Sequence, residues 1–317
     1  MNIKNKTLVV CHDAGGAEII SAYLKKNNKR QSFFCLVSGP AVKIFKRKKI
    51  PALKFLKKDK KEIEKIISKF NIDFLLTGTS WASSVDIDFI KIAKKRNIKT
   101  ISFLDHWVNY RERFGYPRKT WKNNLPNEIW VGDKDAMRLA RLKFKDIKIK
   151  YIPNPYFEEI KSEYKKYKNK KNSAEGILFV SEPISSNINC FGDKHRRKIN
   201  EKNILEDFLK ELEKIHFQNK IIIRLHPSEK KSKYNQLINK YKTTLKIEKS
   251  VGKNAFNDLV RAPVVFGMTS MFLMVAVLCG KKVISYLPNK IGIKFVLPKN
   301  KIIRIKSLRN FKKILWK

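Results

Sequence analysis

Short apolar runs and longer amphipathic stretches alternate along most of this chain. Residues 7–11 read as a buried strand, 16–26 as a helix, and 31–37 and 52–56 as further strands. Ile63, Ile66, Ile67 and Phe70 recur at helical spacing within 61–70, which leads into a strand over 74–77. The pattern continues with a helix over 85–96, strands at 100–104 and 128–131, a helix over 134–142 and a strand at 149–152.

Residues 161–175 (KSEYKKYKNKKNSAE) break the rhythm, being polar, basic and aperiodic apart from their tyrosines. They read as a basic linker or as the solvated end of a helix. Beyond them the alternation restarts. Strands are expected at 176–180, 220–225, 264–267 and 282–286. Helices are expected at 201–215, 234–241, 255–261 and 270–279. No repeat of solenoid period is present. Strands alternating with helices predict an α/β protein of two Rossmann-like, doubly wound parallel-sheet domains, 1–160 and 176–317, facing a cleft. Such sheets hold ligands beyond the carboxyl ends of their strands.

The composition allows this: 317 residues are ample for two domains, and 43% are hydrophobic, with 20 Phe and 5 Trp. Lys plus Arg number 71 against 28 acidic residues, a formal net charge of +43. Such an excess points towards polyanions. Yet the cations are mostly lysines scattered over helix faces, and no nucleic-acid module is recognisable. Nucleic acid is therefore disfavoured as a partner, while weak association with an anionic membrane face stays open. The four cysteines, Cys11, Cys35, Cys190 and Cys279, lie far apart without a CxxC, which suggests buried thiols and neither zinc nor disulfides. The N-terminal apolar run is too short for a signal peptide, and the run at 271–278 too short to span a bilayer. The expectation is a cytoplasmic protein, at most peripheral at the inner membrane face.

Four segments concentrate chemistry where strands end. In His12-Asp13-Ala14-Gly15-Gly16-Ala17-Glu18 the paired glycines would let a ligand approach the backbone at a helix N-terminus. The full GxGxxG fingerprint is absent, and Asp13 could equally be a helix cap. Asp105-His106-Trp107 follows the strand at 100–104, and Asp105 beside His106 suits general base work, unless the segment is an ordinary loop tied down by Trp107 and Tyr110. In Arg224-Leu225-His226-Pro227, Arg224 and His226 alternate onto one face and could reach one phosphate. Gly267-Met268-Thr269-Ser270 is a strand-to-helix turn whose hydroxyls suit a phosphate, although Ser270 could be only an N-cap. Gly280 is the expected C-cap of that helix. Asp86-Ile87-Asp88 has the D-x-D form some transferases use for a metal, but its place at a helix start reads as capping charge. Thr79, Ser80, Trp81 and Ser83 are candidates to line a cleft, and His195-Arg196-Arg197 is a basic cluster.

Together these segments resemble the GT-B superfamily of glycosyltransferases and its relatives, the UDP-N-acetylglucosamine 2-epimerases. Ile152-Pro153-Asn154-Pro155-Tyr156 resembles the "GNP" segment ending the N-terminal half in that superfamily, with Pro153 in place of Gly. His226-Pro227 and Thr269-Ser270 are similar to the HP and S/T-S motifs of bacterial sialyltransferases and capsule Kdo transferases, which hold the phosphate of a CMP-sugar. Residues 267–285 resemble the donor-binding helix of CDP-glycerol transferases and the epimerases, but Val275 stands where an acidic residue often meets the ribose. His195-Arg196-Arg197 is similar to the epimerase H-R-R-E, with Lys198 replacing the Glu, which disfavours an epimerase.

The resemblance implies an inverting, metal-independent glycosyltransferase of surface glycan biosynthesis, using a nucleotide-sugar (CMP- or UDP-linked) and a glycan or lipid-linked acceptor. No cofactor or metal is implied. Gly15, Gly16, Arg224, His226, Thr269 and Ser270 would bind the donor. The base would be Asp13, with His12 beside it, or else Asp105 with His106. The alternatives are a UDP-sugar epimerase or hydrolase, and a non-enzymatic polyanion-binding protein.

Overall fold

The computed structural model describes residues 6–28, 32–55, 59–80, 83–168, 176–185, 200–250, 254–288, 297–298 and 301–316. The chain divides into two compact units, Met1–Glu159 and Ile160–Lys317.

The first unit runs β1 (Lys6–Cys11), α1 (Ala14–Asn27), β2 (Ser32–Val37), α2 (Ala41–Arg47), β3 (Leu53–Lys54), α3 (Lys60–Phe70), β4 (Phe74–Thr77), α4 (Val85–Lys95) and β5 (Lys99–Leu104). It continues with β6 (Glu128–Val131), α5 (Lys134–Lys143) and β7 (Lys148–Tyr151), and α6 (Pro155–Lys168) begins at its end. Its seven strands pair in the order β3-β2-β1-β4-β5-β6-β7, all parallel. Leu8, Val9, Val10 and Cys11 are at most 1% exposed, so β1 is covered on both faces. That is why its sequence is a continuous apolar run and not an alternating one.

The second unit comprises β8 (Ile177–Val180), α7 (Glu201–Lys214), β9 (Ile221–Arg224), α8 (Asn235–Tyr241), β10 (Ile247–Lys249), α9 (Ala255–Arg261) and β11 (Val264–Gly267). α10 (Met271–Leu278), β12 (Lys282–Tyr286), β13 (Ile303–Ile305) and α11 (Phe311–Trp316) complete it. Its six strands are again all parallel, in the order β10-β9-β8-β11-β12-β13. In α7, Ile204, Leu205, Phe208, Leu209 and Leu212 make one buried stripe, and the Asn200 side chain caps the helix by accepting the Lys202 N–H. Phe208 stacks on Phe266 of β11 at 4.2 Å between ring centroids, and Phe311 packs edge-on against both. Each such ring contributes about 1.5–3 kcal/mol by burial.

Both sheets therefore run outward from their first strand in two directions, reversing order between β1 and β4 and between β8 and β11. Right-handed crossovers produce this arrangement, which opens a crevice at the carboxyl ends of the two strands flanking the reversal.

Of the two readings of 161–175, the helix end holds for the described part. Residues 161–168 continue α6, and Tyr164 is buried with its ring 6.1 Å from that of Phe256, so tertiary packing holds this basic helix. Residues 169–175 lie outside the described residues. At its start, Asn154 accepts the Tyr156 N–H and Pro155 takes the first helical position, so this Asn-Pro pair is a helix start signal. Gly280, with φ +73, ends α10 as expected. Among the described residues no helix is long and apolar enough to cross a membrane.

Candidate functional site

In the first unit, the loops after β1, β2, β4 and β5 bring a polar cluster to the reversal point. Asp13 occupies the N-cap position of α1, but its side chain caps nothing. Its carboxylate instead accepts from His12 Nδ1 at 2.7 Å, with both side chains about one-fifth exposed. The imidazole lies against Gly39, whose φ is +52; a Cβ there would meet Nε2 at 2.6 Å. Glycine at 39 thus serves both the left-handed backbone and the open edge of the His12 ring.

Asp105 is engaged differently from the sequence expectation. It pairs not with His106 but with Arg113, whose guanidinium donates to its Oδ1 at 2.5 Å. Arg113 is 6% exposed, and it also donates to the Thr79 hydroxyl (2.8 Å), the Thr79 carbonyl (3.1 Å) and the Val108 carbonyl (3.4 Å). His106 Nδ1 accepts the Trp107 N–H at 2.9 Å, and burial pushes the imidazole down to about 4, against the opposing pull of Asp105. The ring is therefore neutral at pH 7. Trp107 Nε1 donates to Asp133 at 3.0 Å and Tyr110 reaches the Ala136 carbonyl, so these aromatics tie the loop down.

The glycine pair packs closely against other parts of the same unit. A Cβ on Gly15 would lie 1.7 Å from Asp105 Oδ2, and one on Gly16 would lie 3.1 Å from the Gly78 Cα. The close approaches there are made by the protein itself.

Asp86 is the residue that sequence reasoning misread. It stands in the first turn of α4 but is 4% exposed, and among the described residues neither of its carboxyl oxygens has a hydrogen-bond partner. Burial first, then the charges of Asp13 and Asp105, push it up to about 8, opposed by Arg113. Asp88 instead accepts the Ser84 hydroxyl at 3.0 Å.

In the second unit, Thr269 gives both its N–H and its hydroxyl to Glu182 at 2.9 Å. Ser270 caps α10 by accepting the Phe272 N–H at 3.2 Å. Arg224 ion-pairs with buried Asp258 at 2.7 Å, donates to Ser250, and lies over the Phe272 ring at 5.6 Å. That places its guanidinium beside the first turn of α10. His226, by contrast, is exposed and held by Ser228, whose N–H and hydroxyl meet Nδ1 at 3.3 and 2.8 Å. Its pKa is lowered, by partial burial first and then by Lys233, against Glu229, so the ring is a neutral donor through Nε2 and not a cation. Among the described contacts, Arg224 is held by Asp258 and Ser250, and His226 by Ser228. A network behind them joins Ser181, Glu229 and Tyr234, with Lys233 bridging Glu229 and Glu201. Trp81 and residues 195–198 lie outside the described residues.

Comparison with known proteins gives the fold class. No protein-family profile matches the chain. A stretch of 85 residues, 26% of the chain, is 35% identical to cobalt-precorrin-6A reductase of Methanocaldococcus jannaschii and spans only 29% of that protein. Among solved structures, UDP-GlcNAc 2-epimerase from the same organism matches with a TM-score of 0.67, 15% identity, and coverage of 98% of this chain and 92% of its own. UDP-GlcNAc 2-epimerase from Neisseria meningitidis, solved bound to UDP-GlcNAc, gives 0.62 at 12% identity, covering 88% and 82%. The glycotransferase of kitacinnamycin gives 0.57 at 12% identity, covering 99% and 90%. The chain has the fold of these GT-B-type proteins: two parallel α/β units.

Proposed function

We propose that this protein is a glycosyltransferase that uses a nucleotide-activated sugar to extend a surface glycan. The observation that supports this most is in the second unit, where the capped N-terminus of α10 and the Arg224 guanidinium come together across Phe272 at the carboxyl end of the sheet. The positive end of a helix dipole with a guanidinium beside it suits a phosphate. Thr269, Ser270 and Arg224 bind the donor phosphate in this reading, and His226 adds a neutral N–H.

The first unit carries the group that activates the acceptor hydroxyl. Asp13 fixes the His12 tautomer through Nδ1, which leaves Nε2 to take a proton. This refines the expectation for Asp13: the carboxylate acts with the imidazole, and Asp105 serves Arg113. General base catalysis of this kind is worth about 10²–10⁴-fold. Asp13→Asn should therefore lower turnover by roughly that factor with nucleotide affinity nearly unchanged. The reaction in this reading uses no metal and no cofactor.

A screen of CMP-, CDP-, UDP- and GDP-nucleotides for thermal stabilisation tests the donor, since a ligand at a hundredfold excess over its Kd adds about 2.7 kcal/mol. Radiolabelled sugar nucleotides with and without glycan acceptors test the reaction. Sugar moving to acceptor supports transfer. Epimerised or hydrolysed donor without acceptor supports the epimerase or hydrolase reading, which the full-length likeness to UDP-GlcNAc 2-epimerase favours. No nucleotide binding, with steeply salt-dependent binding to RNA or heparin, overturns both.

A further inference from the structure

His226 stands in an exposed loop, yet its backbone is fastened to a buried carboxylate. Glu229 donates its N–H to the His226 carbonyl at 2.9 Å, and its Oε2 accepts the His226 N–H at 2.8 Å. The two bonds close residues 226–229 into a turn, with Pro227 at the position where its fixed φ suits one. The Glu229 side chain is 2% exposed. Its Oε1 accepts the Ser181 hydroxyl at 2.9 Å and pairs with Lys233. Ser181, just past β8, gives its one hydroxyl proton to Glu229 and so accepts the Tyr234 O–H at 2.6 Å. Lys233 also pairs with Glu201 in the first turn of α7, and that carboxylate accepts the N–H and hydroxyl of Ser185 at 3.0 and 2.8 Å. The exposed turn is thus anchored to the end of β8, the start of α7 and the segment leading into α8.

A buried ion pair of this kind adds little net stability beside an apolar filling of the same volume. Its effect here is local. The contacts remove the freedom of the turn before any ligand arrives, which lowers the ordering cost of binding. Ser228 then fixes the ring: its N–H meets Nδ1 at 3.3 Å, so Nδ1 is the acceptor and the neutral imidazole carries its proton on Nε2.

We propose that Glu229 is a positioning residue for His226: its buried carboxylate clamps the 226–229 turn so that the imidazole Nε2–H is held ready for a nucleotide phosphate. The proposal rests on the reading of His226 as a donor to that phosphate. Both carboxylate oxygens are needed. In Glu229→Gln the volume is kept but only one oxygen accepts, so either the His226 N–H or the Ser181–Lys233 side faces an NH₂ group.

Amide hydrogen exchange, followed by NMR without nucleotide, tests the clamp. The His226 N–H should exchange more slowly in wild type than in Glu229→Gln, and equal rates overturn the proposal. Calorimetry with CMP, CDP, UDP and GDP on wild type, Glu229→Gln, His226→Ala and the double variant tests the role. Glu229→Gln should weaken binding by no more than His226→Ala does, about two- to tenfold. In the His226→Ala background it should change nothing, because the group it positions is gone. Wild-type affinity in Glu229→Gln, or losses that multiply in the double variant, overturns the positioning role and leaves the donor reading standing. If none of the four nucleotides binds wild type, the donor reading falls and the positioning role with it. Should Glu229→Gln fail to fold, Ser181→Ala removes one anchor and leaves Lys233 in place. It should show a smaller loss with the same dependence on His226, and unchanged affinity there overturns the role.

Discussion

The Asp105 carboxylate fills the place where a side chain on Gly15 would stand: a Cβ there would meet Oδ2 at 1.7 Å. The first turn of α1 and the end of β5 are therefore fitted to one another. Alanine within a helix is ordinarily favoured over glycine by about 0.5–1 kcal/mol. Here the sign reverses, since Gly15→Ala must push Asp105 away from Arg113. Overpacking of this kind costs about 1–3 kcal/mol. The variant should melt several degrees below wild type in a thermal scan, and a variant as stable as wild type would refute the fit.

Asp105 and Arg113 form a pair with side chains 12% and 6% exposed. Removing one partner leaves the other charge buried, at about 3–5 kcal/mol. Asp105→Ala should show that loss in chemical denaturation, and Asp105→Asn, which still accepts from Arg113, a smaller one. If Asp105 were a solvated base, Asp105→Ala would change stability by less than about 0.5 kcal/mol.

Glu182 takes both donors of Thr269 at the start of α10, the position proposed for a donor phosphate. Its negative charge competes with a phosphate for the helix N-terminus. Glu182→Gln should tighten nucleotide binding by the 0.3–1 kcal/mol typical of such a charge, about two- to fivefold. Calorimetry checks this, and weaker binding by the variant would place the phosphate elsewhere.

His226 is a neutral donor, so its contribution is that of an ordinary hydrogen bond, about 0.5–1.5 kcal/mol. His226→Ala should weaken nucleotide binding about two- to tenfold and leave the melting temperature unchanged, because the ring is exposed. Equal affinity in both proteins would remove His226 from the site.

Asp86 also ties stability to pH. Its folded value of about 8 lies above the ordinary 3.8, so the folded state holds that proton more tightly than the unfolded chain. The resulting stability is fully present below about pH 4 and is lost as pH rises towards 8. Asp86→Asn lacks this dependence. Relative to wild type it should gain up to about 1.4 kcal/mol per pH unit across that window, measured by urea denaturation. A constant difference between the two proteins across that range would mean that Asp86 is ionised throughout.

The apolar rhythm by itself determined the two parallel sheets. Runs such as Phe74–Thr77 and Val264–Gly267 are too short and too uniformly apolar to be anything but buried strands, and the amphipathic stripe of α7 dictates its packed face. The cap at Ser270 was legible too, because it acts on a neighbour two residues away. Elements held by distant partners were not. α2, β10, β13 and α11 have weak local patterns, and the sequence leaves 161–175 open between linker and helix end until Tyr164 meets Phe256. The site divides in the same way. Position at a strand's carboxyl end follows from the alternation, so His12, Asp13, Asp105, Arg224 and Thr269 could be singled out. Only the tertiary structure decided their partners: His12 with Asp13, Asp105 with Arg113, Thr269 with Glu182. Asp86 shows the limit most clearly. A local pattern records that an acid opens a helix, but whether that acid meets water or a closed interior depends on residues far along the chain.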